Sequence, residues 1–597
     1  MGEVKAPTRR HVLEGAAAVG LSSLVPARAV TAMPVSRRDT PPDLGGNVTI
    51  IGPDMPAATI QARLDAIFRH QERAHFTDDR HAVLFLPGRY AADVNVGFFT
   101  QIAGLGLSPG DVTIDGHVHV EADWANGMAL DNFWRGAENL AVRPPDGADR
   151  WAVSQAAPYR RVHLHGDLAL DDGGWSSGGF MADCRVEGTV RSGSQQQWLT
   201  RSSALGGWQG SNWNMMFMGV DGAPPTSFPE PPITTLPSVP LIREKPFLHV
   251  DPAGRWGVFV PALRRDARGP SWAGGNAPGR SIALSRFLIA RPETPVERIN
   301  AALAGGAHLL LTPGIYRLSA PIRVPRAGTV VLGLGLATLV AGGGQPALTV
   351  ADVPGVTVAG VLVDAGPVPS PVLVEVGPPG STGDHAADPT LLADLYVRVG
   401  GATAGRAGTA LAINSGHVLC DNLWLWRADH GDRAGGRVHV GWTENPAEQG
   451  LVVTGTDVTA YGLFVEHFRR NQVVWTGERG RTFFYQSELP YDPPSQDAFR
   501  DGPRRGWASY RVGDAVAVHH GVGFGIYSNF TADPSIVLDS AVLAPTAPGV
   551  RFDALTTISL GGGMGTIAHL VNDEGAAARK GAVRQTLVRF PVAGAGR

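Results

Sequence analysis

The hydrophobic pattern of this chain occurs twice. TIQARLDAI (59–67) places apolar side chains at helical spacing. VLFLPGRY (83–90) is an apolar run that stops at Pro-Gly, and IAGLGL (102–107) is a second run ending in Gly-x-Gly. More than two hundred residues later VERINAAL (296–303), LLLTPGIY (309–316) and VLGLGL (331–336) repeat that order. Each copy predicts a short amphipathic helix followed by two buried strands. A duplication of this kind predicts two similar units, with a groove between them in which a ligand can sit.

After each Gly-x-Gly the pattern changes to short apolar runs at wide, fairly regular intervals. In the second copy these are ALTV (347–350), VTVAGVLVD (356–364), LYVRV (395–399), LWLW (423–426), LFVE (463–466) and YQSE (485–488). Hairpin signals such as Asn-Gly are missing between them, which argues against a sandwich. One strand per edge, coil upon coil, accounts for the pattern better. The predicted fold class is all-β: two tandem right-handed parallel β-helices joined by a long Pro-rich connector. Residues 47–222 form the first β-helix, 223–281 the connector and 282–575 the second, with 576–597 as a C-terminal tail. The connector is expected to carry a small strand pair at 247–250 and 257–260. The duplicated helices are expected to cover the open N-terminal end of each coil.

Composition agrees with this reading. Among 597 residues there are 77 Gly and 46 Pro and only 18% charged residues, which suits many short strands joined by tight turns. Net charge is −3 without a basic stripe, so nucleic acid is excluded as a partner class. No apolar run beyond the N-terminus is long enough to span a bilayer, so no membrane is expected after export. Residues 1–32 read as a twin-arginine-type signal: the pair Arg9-Arg10, a mild Ala/Gly-rich apolar stretch, and small-residue cleavage sites at 27–29 and 30–32. The mature protein is therefore expected to be secreted or periplasmic, with 33–46 as a loose linker. A monomer is expected. Cys184 and Cys420, one per half, read as two buried thiols, with pairing left open.

Two glutamates lead the candidate chemistry. Glu466 and Glu488 lie 22 residues apart, a plausible length for one turn of the coil. On successive turns their backbones would stand about 4.8 Å apart. Two carboxylates that close cannot both ionise freely, so one pKa rises. A carboxylic acid kept protonated near neutral pH is what glycosidic bond cleavage needs. The alternative is a solvated carboxylate and a salt-bridge partner of Arg469 or Arg481. In the first half SGSQQQWLTR (192–201) places Gln195 and Gln197 on one face of a strand, able to hold a water, or else forming a polar ladder along the coil. Trp424, Trp426, Trp475, Tyr485, Tyr491 and Trp198 are aromatic candidates for stacking on sugar rings, and Asp429, His430 and Asp492 are polar candidates for a cleft wall. Asp429, His430 and Asp432 suggest a metal site only weakly, since no third ligand follows at a recognisable interval. GLGLATL (333–339) lacks the Lys-Ser/Thr of a phosphate loop and reads as a structural turn.

On the duplicated helix, Pro-Gly and Gly-x-Gly units, the Gln-x-Gln strand and the two glutamates, the chain resembles the tandem β-helix laminarinases of glycoside hydrolase family 55. The resemblance implies two right-handed β-helices with an exo-acting pocket between them, cleavage of β-1,3-glucan with inversion, and no cofactor. It implies Glu488 as general acid, Glu466 as the second acid supporting a nucleophilic water, and Gln195 and Gln197 as the amides that hold it. The partner is then a polysaccharide or oligosaccharide substrate. Two alternatives stay open. One is a polysaccharide lyase on the same fold, with Arg427 as base beside Asp429 and Asp432 and a bound Ca²⁺. The other is a glycan-binding β-helix without catalysis.

Overall fold

The structure, a computed structural model, describes residues 41–432 and 438–591. The predicted signal (1–32) and most of the linker lie outside the described residues. Among the described residues strands are the main regular structure, with only two α-helices. Among the described residues, a first sheet stacks Val48–Ile51, His81–Phe85, Thr100–Gly104, Arg135–Arg143, Tyr159–Leu164, Phe180–Ala182, Gln197–Arg201, Asn214–Met218 and Ile233–Leu236 in chain order. All of these neighbours pair in parallel. The second half alternates between two sheets. One runs from Phe287–Ala290 through Val330–Val340, Thr357–Asp364, Thr390–Val399, Val418–Arg427, Thr459–Glu466, Gly480–Glu488 and Val518–Ser528 to Gly549–Ser559. The other takes up the intervening strands, from Ile322–Val324 to Thr566–Val571. Alternation between two parallel sheets means that the chain winds one coil per repeat.

Burial explains why the two sheets of the second half read differently. Val330–Val340, Thr390–Val399 and Val418–Arg427 are buried along almost their whole length. One face of that sheet fills its own coil and the other packs on the first half, so the strands carry near-continuous apolar runs. Ala407–Ile413 and Ala447–Val453 mix buried and half-buried positions, because one of their faces meets solvent. An aromatic layer joins the halves: Phe133, Trp134 and Phe180 of the first pack with Tyr396, Trp424, Trp426 and Phe464 of the second. Close approach there demands glycine at 462, where φ is +67° and an added Cβ would meet the Phe180 ring at 3.1 Å. A buried ionic cluster reinforces the seam. Arg201 forms two 2.7 Å bonds to Glu244 of the connector and bonds of 2.7 and 2.6 Å to Asp421, while Arg160 clasps Asp394 and Asp421.

The duplication holds in detail. Helices Ala57–Gln71 and Val296–Ala304 bury Ile60 and Leu64, and Ile299 and Leu303, in the cores of their own halves. The Tyr90 hydroxyl sits between the carbonyls of Leu86 (2.6 Å) and Ile51 (3.2 Å). The Tyr316 hydroxyl sits in the same way between Thr312 (2.9 Å) and Ala290 (2.7 Å). The connector contains the expected strand pair, Phe247–Val250 against Trp256–Pro261, extended by Gly279–Ala283. One part differs from expectation. The segment read as a tail holds the strand Arg584–Phe590, which pairs antiparallel with Gly549–Ser559 and closes that edge of the sheet. Cys184 and Cys420 are both buried and free.

Candidate active site

One register column of the long sheet lies within the second half: Asp364, Arg398, Trp426, Glu466, Glu488 and Tyr527 are successive partners. Glu466 and Glu488 are therefore neighbours on adjacent coils, as their spacing predicts. Their carboxyl groups turn to different partners. Glu466 Oε1 accepts a 2.8 Å bond from Gln155 Nε2 and Oε2 a 2.7 Å bond from Trp424 Nε1. Glu488 accepts a short bond from the Tyr491 hydroxyl, and His467 Nε2 lies 4.0 Å from it. Burial, and then the charge of Glu488, push Glu466 well above the usual carboxylate range. Burial likewise pushes Glu488 up, with His467 and the Tyr491 hydroxyl working against it. Donation from the Gln155 amide and the Trp424 indole to Glu466, and from the Tyr491 hydroxyl to Glu488, favours the charged form of each carboxyl against its burial.

Both carboxyls open on a cleft of about 480 Å³ at the junction of the halves. The first half lines it with Asp131, Phe133, Gln155, Trp175, Ser177, Gln196 and Trp213. The second half contributes Trp424, Trp426, Asp429, His430, His467, Tyr491 and Asn529. Ser177 Oγ is buried there and has no hydrogen-bond partner among the described residues. Trp424 and Trp426 are 1% exposed, so they form the wall, whereas Trp175 is 54% exposed at the rim. Burial works to raise Asp429, yet His430 (2.9 Å) and His467 (3.7 Å) hold its carboxyl well below the usual range.

Several expected site residues lie elsewhere. Gln195 and Gln197 are fully buried and do not reach the cleft. Gln195 turns back onto the Val153 carbonyl at 2.7 Å, and Gln197 faces the seam, where it accepts a 2.5 Å bond from the Tyr527 hydroxyl. The intervening Gln196 lines the cleft; it stands in a bend just before the strand Gln197–Arg201. Trp198 packs in the core of the first half, and Trp475 and Tyr485 in that of the second. Their apolar area is better buried inside the coils than held in the cleft. Asp492 does not line the cleft; it binds Arg427 at 2.9 and 2.6 Å. Arg427 also donates to the carbonyls of Asn445, His467 and Gly441, so its guanidinium is committed to holding loops and is not placed as a lyase base.

No local pattern points to Gln155, Ser177, Trp175 or Trp213. Gln155 lies in an irregular stretch between strands with no periodic neighbour, and Trp175 is marked only by its Gly-rich surroundings. Among the described residues, two groups of side chains could hold a metal ion: His75, Asp131 and His430 beside the cleft, and His163, His165 and Glu187 on the first half.

A family model described as the LAM55 pectate lyase-like domain matches residues 287–488, from the first strand of the long sheet to the second glutamate. The exo-beta-1,3-glucanase of Streptomyces sp. (strain SirexAA-E / ActE) is 51% identical over 537 residues, which cover 89% of this chain and 87% of that protein. The solved structure of sacteLam55A from Streptomyces sp. SirexAA-E matches with a TM-score of 0.90 at 49% identity, over 92% of this chain and 99% of that one. A variant of the same protein, solved in complex with glucose, matches equally well.

Proposed function

The chain belongs to glycoside hydrolase family 55, and on that footing we propose that it is an exo-acting β-1,3-glucan hydrolase that inverts the anomeric centre. The substrate class is supported by the name of the 51% identical relative. The observation that carries the mechanism is the meeting of Gln155 with Glu466 beside Glu488, across two halves of the chain.

In this reading the protein is two right-handed parallel β-helices in tandem, and substrate enters the cleft between them. Glu488 holds a proton at working pH and gives it to the departing glycosidic oxygen. A water held by Gln155, Ser177 and ionised Glu466 attacks the anomeric carbon from the opposite face and loses its proton to Glu466. Inversion requires the reacting carboxyls to stand apart, roughly 6.5 to 9.5 Å. The divergence of Glu466 toward Trp424 and Gln155, and of Glu488 toward Tyr491, works in that direction. Export through a twin-arginine-type signal completes the reading and rests on Arg9-Arg10 and the residues after them. The test is glucose release from a panel of β-1,3-, β-1,4- and mixed-linkage glucans. Release confined to β-1,3-linked substrates is expected. Activity on uronate polymers giving ultraviolet-absorbing products, or binding without release, would overturn the proposal.

A further inference from the structure

His75, Asp131 and His430 come from separate parts of the sequence, yet one ligand atom from each lies within 4.8 Å of the other two. His75 is 9% exposed, and its Nε2 makes no hydrogen bond among the described residues. The His75 ring stacks on Phe98 and lies 5.1 Å, centroid to centroid, from the His430 ring. On its far side His430 Nδ1 pairs with Asp429 at 2.9 Å, and its Nε2 faces Asp131 at 3.8 Å. A carboxylate behind a histidine fixes the tautomer that presents the other nitrogen and raises its basicity; metal-binding histidines are commonly backed in this way.

We propose that His75, Asp131 and His430 form an inhibitory site for a divalent transition cation of the Zn²⁺ type, set in the wall of the cleft and joining the two halves of the chain. Imidazole and carboxylate donors suit Zn²⁺ or Cu²⁺ better than Ca²⁺ or Mg²⁺. Ligand bonds of about 2.1 Å around a tetrahedral ion leave the donors about 3.4 Å apart, so the trio has to close by only about an ångström. Asp131, half exposed, supplies that movement. The fourth position opens to the cleft, which Asp131 and His430 both line. Two ligands belong to the first half and one to the second, so an occupied site cross-links the seam. Coordination at Nε2 makes the Nδ1–H of His430 a stronger donor to Asp429, whose carboxyl faces His467 next to Glu488. The inhibitory part of the proposal rests on the hydrolase reading above; the binding part does not.

The test is calorimetric titration of ZnCl₂ into the folded full-length protein at neutral pH, run beside thermal denaturation and laminarin hydrolysis. One ion per chain with micromolar affinity is expected, with a higher Tm when it is bound. Asp131→Asn and His430→Gln should each weaken binding at least about tenfold. His163→Gln, in the other cluster, should leave it unchanged. Hydrolysis should fall along the same binding curve and return with EDTA. Absence of binding at millimolar zinc, binding that survives both Asp131→Asn and His430→Gln, or binding removed by His163→Gln would overturn the site. Binding without loss of hydrolysis would overturn its inhibitory role. A protein that binds zinc but never cleaves laminarin would instead count against the hydrolase reading.

Discussion

Gln155 and Glu466 stand 311 positions apart in the chain and share a 2.8 Å hydrogen bond. Neither half of the duplicated chain contains both. The bond fixes the orientation of a buried carboxyl with an amide from the opposite half, so the cleft chemistry depends on how the halves dock. Replacing Gln155 with Ala should lower kcat about 10²-fold with little change in KM, because the attacking water loses its placement while the sugar contacts remain. Steady-state kinetics on laminari-oligosaccharides read this directly. An unchanged kcat would remove Gln155 from the mechanism.

Glu488→Gln keeps the shape and hydrogen bonding of the side chain but cannot deliver a proton. Turnover of an unactivated glucan should fall about 10³-fold or more. Thermal denaturation should show a fold at least as stable as the wild type, since the substitution removes a buried ionisable group beside Glu466.

The pH profile carries a sign. A general acid works only while protonated, so kcat/KM should be lost as pH rises through the raised pKa of Glu488. The Tyr491 hydroxyl donates to that carboxyl and favours its charged form. Tyr491→Phe should therefore raise the Glu488 pKa further and move the alkaline limb to higher pH. A shift to lower pH in that variant would contradict the assignment.

The seam itself can be tested through Arg201. Burial works to raise the pKa of Glu244, yet Arg201 and Arg160 hold it below the usual glutamate value. The contribution of this pair is complete above the ordinary glutamate pKa and is lost as pH falls through the lowered one. Arg201→Met leaves Glu244 and Asp421 buried against a neutral side chain, at a cost of about 3 to 5 kcal/mol. Urea denaturation at neutral pH measures that loss, and the difference from wild type should shrink as the pH is lowered.

Trp175 offers a fifth test. Its exposed ring at the rim can stack on sugars beyond the cleaved unit. Trp175→Ala should raise KM for long glucans about 3- to 10-fold and leave an aryl glucoside unaffected.

Much of the fold was legible because it is periodic. The duplicated Pro-Gly and Gly-x-Gly units, the near-continuous apolar runs and the 22-residue step between Glu466 and Glu488 are all consequences of coils stacking in register. That step also brought the two glutamates to one face of one sheet. What periodicity cannot reveal is which coil residue meets the other half. Gln195 and Gln197 do not share a face, because the strand begins only at Gln197: Gln195 turns to a backbone carbonyl of its own half, Gln197 to the seam, and Gln196 in the bend between them reaches the cleft. Trp475, Tyr485 and Trp198 looked like sugar platforms only because aromatic residues serve cores and binding sites equally well. Gln155, Ser177 and His75 become neighbours of residues hundreds of positions away through docking of the halves, and no local pattern announces that.

The most direct measurement is time-resolved NMR of the anomeric protons during wild-type hydrolysis of a β-1,3-glucan. An amide-held water attacking opposite Glu488 predicts that α-glucose appears first and then mutarotates. Initial release of β-glucose would show a retained configuration and contradict the water-attack mechanism built on Gln155, Glu466 and Glu488.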